Sequence, residues 1–329
     1  MDLIRRIFGK RRQETPTTDS VEDFPAPDEI LKEAGQATLD TAETAKLEPV
    51  APPLSFADGV TRPLPPETVV SPQNEHIVFG QSTDVGMIRN TNQDSALSFY
   101  FTSHSIEERP SFGLFVVADG MGGHHDGEKA SAITTRAVAL QVTSKIYLPL
   151  LNGDRDAQRS ISDELVVAAK KANTDVMAHV TDGGTTLTAV AIVDNLAHIV
   201  HVGDSRAYLI NNDGIEQITR DHSLVQRLIE LDQITPEEAA VHPQKNVLYR
   251  ALGQSEILEV DTLSRRLPPR SRLLLCSDGL WGHLEDQEIF QIVNDYANPQ
   301  EACDKLVAIA NNYGGADNIT SILLQVPGD

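Results

Sequence analysis

The sequence predicts an α+β fold, and three observations carry that expectation. Between residues 185 and 219, β-rich runs follow one another through very short turns at Asp194-Asn195, Gly203-Asp204 and Asn211-Asn212-Asp213-Gly214. Strands joined so tightly must be antiparallel. Apolar residues at helical spacing come in blocks, first Ala130, Ile133, Ala137 and Leu140, then Leu165, Ala169, Ala172 and Val176. A polar, charged, helical piece from 221 to about 246 interrupts the strands as a flap would. Helices grouped among antiparallel strands argue against a parallel α/β sheet.

The 329-residue chain opens on MDLIRRIFGKRR, where Leu3, Ile4, Ile7 and Phe8 stand among Arg5, Arg6, Lys10, Arg11 and Arg12. Residues 1–12 read first as a solvated basic tail. The second reading is a weak docking helix for a membrane surface or an acidic partner. Residues 14 to about 75 are rich in Pro, Glu, Asp, Thr and Ala. Too few large apolar side chains are present to offset the entropy of ordering, so 1–75 is expected to be a tail and a disordered tether. A short helix is compatible with 28–46.

The folded domain is expected over 76–329. Residues 114–118 read as a strand that stops at Asp119-Gly120, and Glu128 opens the first helical block. Strands are expected at 185–193, 196–202, 206–210 and 215–219. In the flap, Thr235-Pro236-Glu237-Glu238 combines an N-cap threonine, a proline at the first helical position and a glutamate at the third. Strand character returns at 257–263 and 272–277. Asn298-Pro299-Gln300-Glu301 caps a long helix with Ala302, Leu306 and Ile309 on one face, and 318–326 is the last strand.

Composition narrows the function. A formal charge of -21 argues against nucleic acid as a partner, since phosphates would be repelled. Its plainest meaning is solubility. Cys276 and Cys303 belong to no CxxC pair, so neither a zinc site nor a disulfide is expected, and a reducing, cytoplasmic compartment fits. No apolar run approaches the ~18 residues of a membrane span. The N-terminus lacks the apolar core of a secretion signal.

Four apolar runs stop or turn at an aspartate: VVAD at Asp119, IVHVGD at Asp204, LLLCSD at Asp278 and GGAD at Asp317. Singly, each reads as turn chemistry. Only Asp204 has a cation close by in sequence, Arg206. If the strands stack in two sheets, these ends meet at one edge, where clustered carboxylates repel unless cations are present. Oxygen ligands without a His/Cys set favour Mg²⁺ or Mn²⁺ over zinc. Two such ions lower the pKa of a bridging water and orient it for attack on phosphorus. Arg89, in DVGMIRNTNQD, is the candidate for gripping phosphate, with a surface ion pair as its plainer reading. Asp94, five residues on, is placed to join the metals' water shell.

The segments DVGMIRNTNQD, VVADGMGGH, GGTTLTAV, VGDSRAYLI, HPQKNVLYRALG, LLCSDGLWGHL and GGADNITSILL occur in that order. Together they resemble the metal-dependent protein serine/threonine phosphatases of the 2C type, in their bacterial form, over roughly 80 to 326. The resemblance implies a sandwich of two antiparallel sheets with helices on both outer faces. It implies hydrolysis of phosphoserine and phosphothreonine by a metal-bound hydroxide, without a phosphoenzyme. Asp119 would bridge two Mn²⁺ or Mg²⁺ ions and the Gly120 carbonyl would ligate one. Asp278 and Asp317 would complete the second. Asp204, with Asp278, matches a third and more labile site, and Asp94 matches the aspartate near the first ion. Arg89 matches the phosphate-binding arginine. Phosphoproteins and an opposing serine/threonine kinase are the implied partners of an expected monomer. Two positions depart from the pattern: Gln93 stands where many members have Glu, and Met121 where many have a histidine. The nearby His124 reads as packed or solvent-facing, His222 and His242 in the flap carry no assigned chemistry, and Thr185 and Thr186 read as structural.

Overall fold

The computed structural model describes residues 76–102, 109–122, 126–154 and 161–328. The basic tail, the tether with its helix-compatible stretch, and His124 lie outside the described residues. Three strands open the domain: β1 (Val78–Asp84), β2 (Asp94–Phe101) and β3 (Phe112–Gly122). Two long helices follow, α1 (Asp126–Val142) and α2 (Ile161–His179). Between them the chain winds on through a π turn at Thr143–Tyr147 and a last turn at Leu148–Leu151. Then come β4 (Gly183–Thr185), β5 (Leu187–Val193), β6 (Leu196–Val202), β7 (Arg206–Asn211) and β8 (Gly214–Gln217). The flap carries α3 (Leu224–Glu230) and α4 (Pro236–Ala240). The chain ends with β9 (Asp261–Arg266), β10 (Arg272–Cys276), α5 (Asp278–Trp281), α6 (Asp286–Asp295), α7 (Pro299–Asn312) and β11 (Ile319–Gln325).

The strands form two antiparallel sheets, ordered β1-β11-β10-β7-β8 and β2-β3-β5-β6-β9, with β4 pairing β3 off the second path. Side chains alternate across each strand, and here both faces are apolar. Phe115, Val117, Val190 and Ile192 meet Leu273, Leu275 and Ile322 between the sheets. The other face of β3 and β5, through Leu114, Val116, Leu187 and Ala189, packs under Val138 of α1 and Leu165, Ala169 and Ala172 of α2. On the far side, Leu274, Cys276 and Leu323 pack under Ile289 of α6 and Leu306 and Ala310 of α7. Helices therefore cover both outer faces of a two-sheet sandwich. Each fully buried Leu or Ile contributes roughly 1.5–3 kcal/mol through loss of water contact.

Several expectations are corrected. Leu140 does not share the buried face of α1; it is 62% exposed, and the buried stripe runs through Ala130, Thr134, Ala137, Val138 and Val142. The run at 185–193 breaks at Thr186, whose backbone N–H turns to the Asp119 carbonyl at 2.8 Å. The strand expected from 257 begins only at Asp261. In contrast, the Thr235 capping box is present in full, and Asn298 caps α7 through the Gln300 amide.

Candidate active site

Five aspartates converge, four from the ends of strands or the turns beside them and Asp119 from within β3, which runs on to Gly122 and not only to the expected stop at Asp119-Gly120. Asp94 opens β2 directly opposite Asp119 on β3. Asp204 sits in the turn from β6 to β7, Asp278 opens α5 just after β10, and Asp317 precedes β11. Asp94, Asp204, Asp278 and Asp317 all raise the pKa of Asp119 by charge repulsion, which puts the five in one field.

The scaffold around Asp119 is fully paired. Its backbone N–H donates to the Thr186 hydroxyl at 2.9 Å, and its carbonyl accepts from the Thr185 hydroxyl at 2.9 Å. The expected structural role of these threonines is thus given a specific object, the main chain at Asp119. Gly120 must be glycine: a Cβ there would lie 2.2 Å from the Gly127 carbonyl oxygen. Its N–H donates to the Gln93 carbonyl at 3.1 Å. The Gln93 side chain is buried and reaches the Gly122 carbonyl at 3.3 Å, so the glycine loop itself is what it touches.

The carboxylates are not paired in this way. Asp94 accepts hydrogen bonds from Thr320 at 2.7 Å and Ser277 at 2.8 Å on Oδ2. Its other oxygen is buried without a partner, and so is Oδ1 of Asp278. Burial pushes the Asp94 carboxyl up to about 7, with Asp278 and Asp317 adding repulsion and the two hydroxyls pulling the other way. Burial, with repulsion from Asp317, raises Asp278 to about 6, against a hydrogen bond with Asp119 and the attraction of Arg89. Asp119 and Asp204 are raised by burial first and neighbouring carboxylates second.

Of the two cations the sequence brought to this site, Arg206 is placed otherwise than its neighbour in sequence suggested, and Arg89 makes the ion pair of its plainer reading. Arg206 does not pair with Asp204. Its guanidinium takes both oxygens of Asp221 at 2.8 to 3.1 Å, donates to the Tyr208 hydroxyl and lies 3.6 Å over the Trp281 ring. Arg89 holds Asp317 at 2.7 Å in an ion pair whose side chains are 47% and 30% exposed. Among the described residues, no three His, Cys, Asp or Glu side chains close around a single ion position. Asp317, the third carboxylate expected with Asp119 and Asp278, is turned to Arg89 instead.

The donor set still fits hard divalent cations. It is all oxygen, mutually repelling, and holds two buried oxygens that lack a hydrogen-bond donor. Such ions would add positive charge beyond that of Arg89 and Arg206. The sequence did not single out Ser277 and Thr320, which hold Asp94, or Trp281, whose indole N–H donates to the Asp204 carbonyl at 3.0 Å. A hydroxyl in a strand and a tryptophan after a turn carry no local signal of the residue they will meet.

Known proteins share this fold and much of this sequence. The family model described as protein phosphatase 2C matches residues 90–311. The chain is 36% identical over 249 residues to the serine/threonine phosphatase stp of Listeria innocua, covering 74% of this chain and 93% of that one. The serine/threonine phosphatase of S. agalactiae superimposes with a TM-score of 0.68 at 32% identity, over 76% of this chain and 100% of that one. The catalytic domain of the phosphatase PstP, in a structure holding two manganese ions, superimposes with a TM-score of 0.62 at 30% identity, over 77% of this chain and 99% of that one.

Proposed function

This chain belongs to the protein phosphatase 2C family and is a serine/threonine protein phosphatase, and from that premise we propose that it hydrolyses its substrates at a Mn²⁺- or Mg²⁺-dependent site built from the five aspartates. The observation that carries the reading is the pair of orphaned carboxylate oxygens, on Asp94 and Asp278, inside a cluster of like charges. Asp119 and the Gly120 carbonyl, with Asp278 and Asp317, would hold two ions. Asp94 stands beside the first, and Asp204 with Asp278 offers a third position. When bound, the ions supply a water acidic enough to act as nucleophile at neutral pH and offset the charge of the phosphoryl group.

The chain's own residues do the rest. Arg89 is the phosphate-binding cation, since its planar guanidinium matches two phosphate oxygens. Its exposed pairing with Asp317 is worth only about 0–1 kcal/mol, so phosphate takes the guanidinium over at little cost. Met121 follows Asp119-Gly120 and has no proton to give to the leaving alkoxide, which takes its proton from a water or from another group. The flap borders the site, because a cavity of about 430 Å³ runs from Asp278 and Trp281 to Ile229 and Ala239 of α3 and α4. We assign the domain to 76–329, acting as a monomer on phosphoproteins modified by an opposing serine/threonine kinase. No helix among the described residues is long and apolar enough to cross a membrane.

A phosphothreonine peptide tests the assignment. Hydrolysis is expected to require Mn²⁺ or Mg²⁺, to stop in EDTA, and to fall about 100-fold or more in Asp119→Asn. Hydrolysis that persists in chelator, or survives in Asp119→Asn, overturns it.

A further inference from the structure

His222 is buried at the foot of the flap, outside the aspartate cluster, with its side chain 1% exposed. Its backbone N–H donates to the Gly203 carbonyl at 2.7 Å. Its ring Nδ1 accepts the Gly203 N–H at 3.0 Å. A backbone N–H only donates, so Nδ1 must be the accepting nitrogen, and the neutral ring carries its proton on Nε2. That nitrogen faces Asp261 Oδ2 at 3.1 Å, and Arg250 Nη1 lies 3.1 Å from it as well while binding the other oxygen of Asp261 at 2.6 Å. One residue therefore grips both polar backbone atoms of Gly203, from the main chain and from the ring.

Gly203 leaves little slack. It sits at φ +109°, and a Cβ there would lie 2.6 Å from the Thr186 methyl. The next residue is Asp204. The same histidine also holds the flap: its carbonyl accepts the Tyr249 N–H at 3.0 Å, while Leu224 N–H binds the Val247 carbonyl at 2.8 Å. Both chain ends of the flap thus close over the residue that fixes the Asp204 turn.

We infer that His222 is a positioning residue: through Nδ1 and its backbone it sets the Gly203-Asp204 turn, fixes the Asp204 carboxylate near Asp278, and couples the base of the flap to that end of the metal site. This rests on the reading of Asp204 as a metal ligand. Groups that orient ligands from one bond away typically govern about 10–100-fold in metal affinity.

Two substitutions separate orientation from mere packing. Asparagine places its side-chain oxygen where Nδ1 stands, so His222→Asn keeps the acceptor for Gly203. Glutamine reaches the Nε2 position, so His222→Gln keeps Asp261 and loses Gly203. Mn²⁺ binding to the full chain is measured by calorimetry, with Asp204→Asn as reference and hydrogen exchange at the Gly203 amide as a second readout. Asp204→Asn is expected to abolish the weakest Mn²⁺ site. His222→Gln is expected to weaken that site about 10–100-fold and speed exchange at Gly203, while His222→Asn stays near the wild type in both. Should His222→Gln fail to fold, Asp261→Ala removes the carboxylate partner of Nε2 at a half-exposed position, leaves Arg250 beside the ring, and is expected to shift the site in the same direction by a smaller factor. Wild-type Mn²⁺ affinity in His222→Gln, or in Asp261→Ala where that stands in for it, overturns the proposal, and so does equal loss in the Asn and Gln variants. An unchanged weak site in Asp204→Asn overturns instead the Asp204 assignment on which it rests.

Discussion

Asp94→Asn is expected to stabilise the metal-free protein at pH 8 and to lose that advantage at pH 5.5. Asp94 is buried, has one oxygen without a donor, and has its carboxyl pushed up to about 7. Holding it ionised at pH 8 costs the fold about 4 kcal/mol, at roughly 1.4 kcal/mol per pKa unit above its unfolded value. The sign follows from proton binding. The folded state holds the proton more tightly than the unfolded chain, so the cost falls once the pH drops below about 7. At pH 5.5 about 2 kcal/mol remains. Asparagine carries no charge; its amide oxygen keeps the Thr320 and Ser277 bonds while its NH₂ takes the place of the orphaned oxygen, and burying that amide group costs about 1–3 kcal/mol. The net gain is about 2 kcal/mol at pH 8 and close to zero at pH 5.5. Urea unfolding in EDTA at both pH values measures it. Buried histidines also titrate in this range, so variant and wild type are compared at each pH, which cancels their contribution. An equal difference at both pH values, or a variant less stable at pH 8, refutes the claim that burial raises Asp94. Saturating Mn²⁺ should reverse the order at pH 8, because only the wild type has the full carboxylate set to gain from binding.

Four further expectations follow from other parts of the fold. His201 is buried, with its pKa lowered to about 3 by desolvation first and by His222 second. It must stay neutral in the fold, so its contribution is intact above pH 6.5 and lost as pH falls, costing about 1.4 kcal/mol by pH 5.5; a pH series comparing His201→Gln with wild type should show a flatter acid limb. Gly120→Ala drives a methyl against the Gly127 carbonyl, and should cost about 1–3 kcal/mol in thermal unfolding together with most of the activity. Arg89→Ala breaks only an exposed ion pair, so stability should move by less than about 1 kcal/mol while KM for a phosphopeptide rises; an unchanged KM removes Arg89 from the phosphate site. Leu140→Gln, at an exposed position, should stay within about 0.5 kcal/mol of wild type, whereas Leu165→Ala, fully buried under the same sheet, should cost about 2–5 kcal/mol.

What could be read from the sequence was local in origin. Asp204 and Asp278 showed because apolar runs stop at aspartates beside glycines; Asp119 showed for the same reason, although β3 continues past it to Gly122 and pairs with β4 there. The caps at Thr235 and Asn298 showed because capping needs particular residue types at fixed offsets. The ordered motifs then supplied the fold family. What escaped was long-range. Arg206 has Asp204 two residues away, yet binds Asp221 across fifteen residues, because β7 and the flap's entry bring that carboxylate alongside its planar fork. Arg89 and Asp317 are 228 residues apart. Ser277 and Thr320 read as ordinary strand residues and turn out to hold Asp94. Leu140 matched the helical period but fell outside the buried stripe, since periodicity fixes which residues share a face and not how wide the covering surface is.

The division between paired and unpaired groups at the site separates scaffold from reagent. Thr185, Thr186 and Ser205 satisfy one another and the main chain at Asp119 through bonds of 2.7 to 2.9 Å. These neutral bonds do not change with the charge state of the carboxylates, so the strand end stays in place whether or not they are neutralised. Asp94 and Asp278 are left with orphaned oxygens, and they, Asp119 and Asp204 with mutual repulsion and raised pKa values. A fold selected for stability alone would replace Asp94 or Asp278 with an amide or an apolar residue, as the Asp94→Asn expectation makes explicit. Their presence where they destabilise the metal-free fold is therefore informative in a way that an aspartate at a turn is not. Rigid neutral scaffolding with strained charge mounted on it is what a site needs when its cations arrive from solution, because the binding energy is then released as relief of repulsion and is not spent on rearranging the backbone.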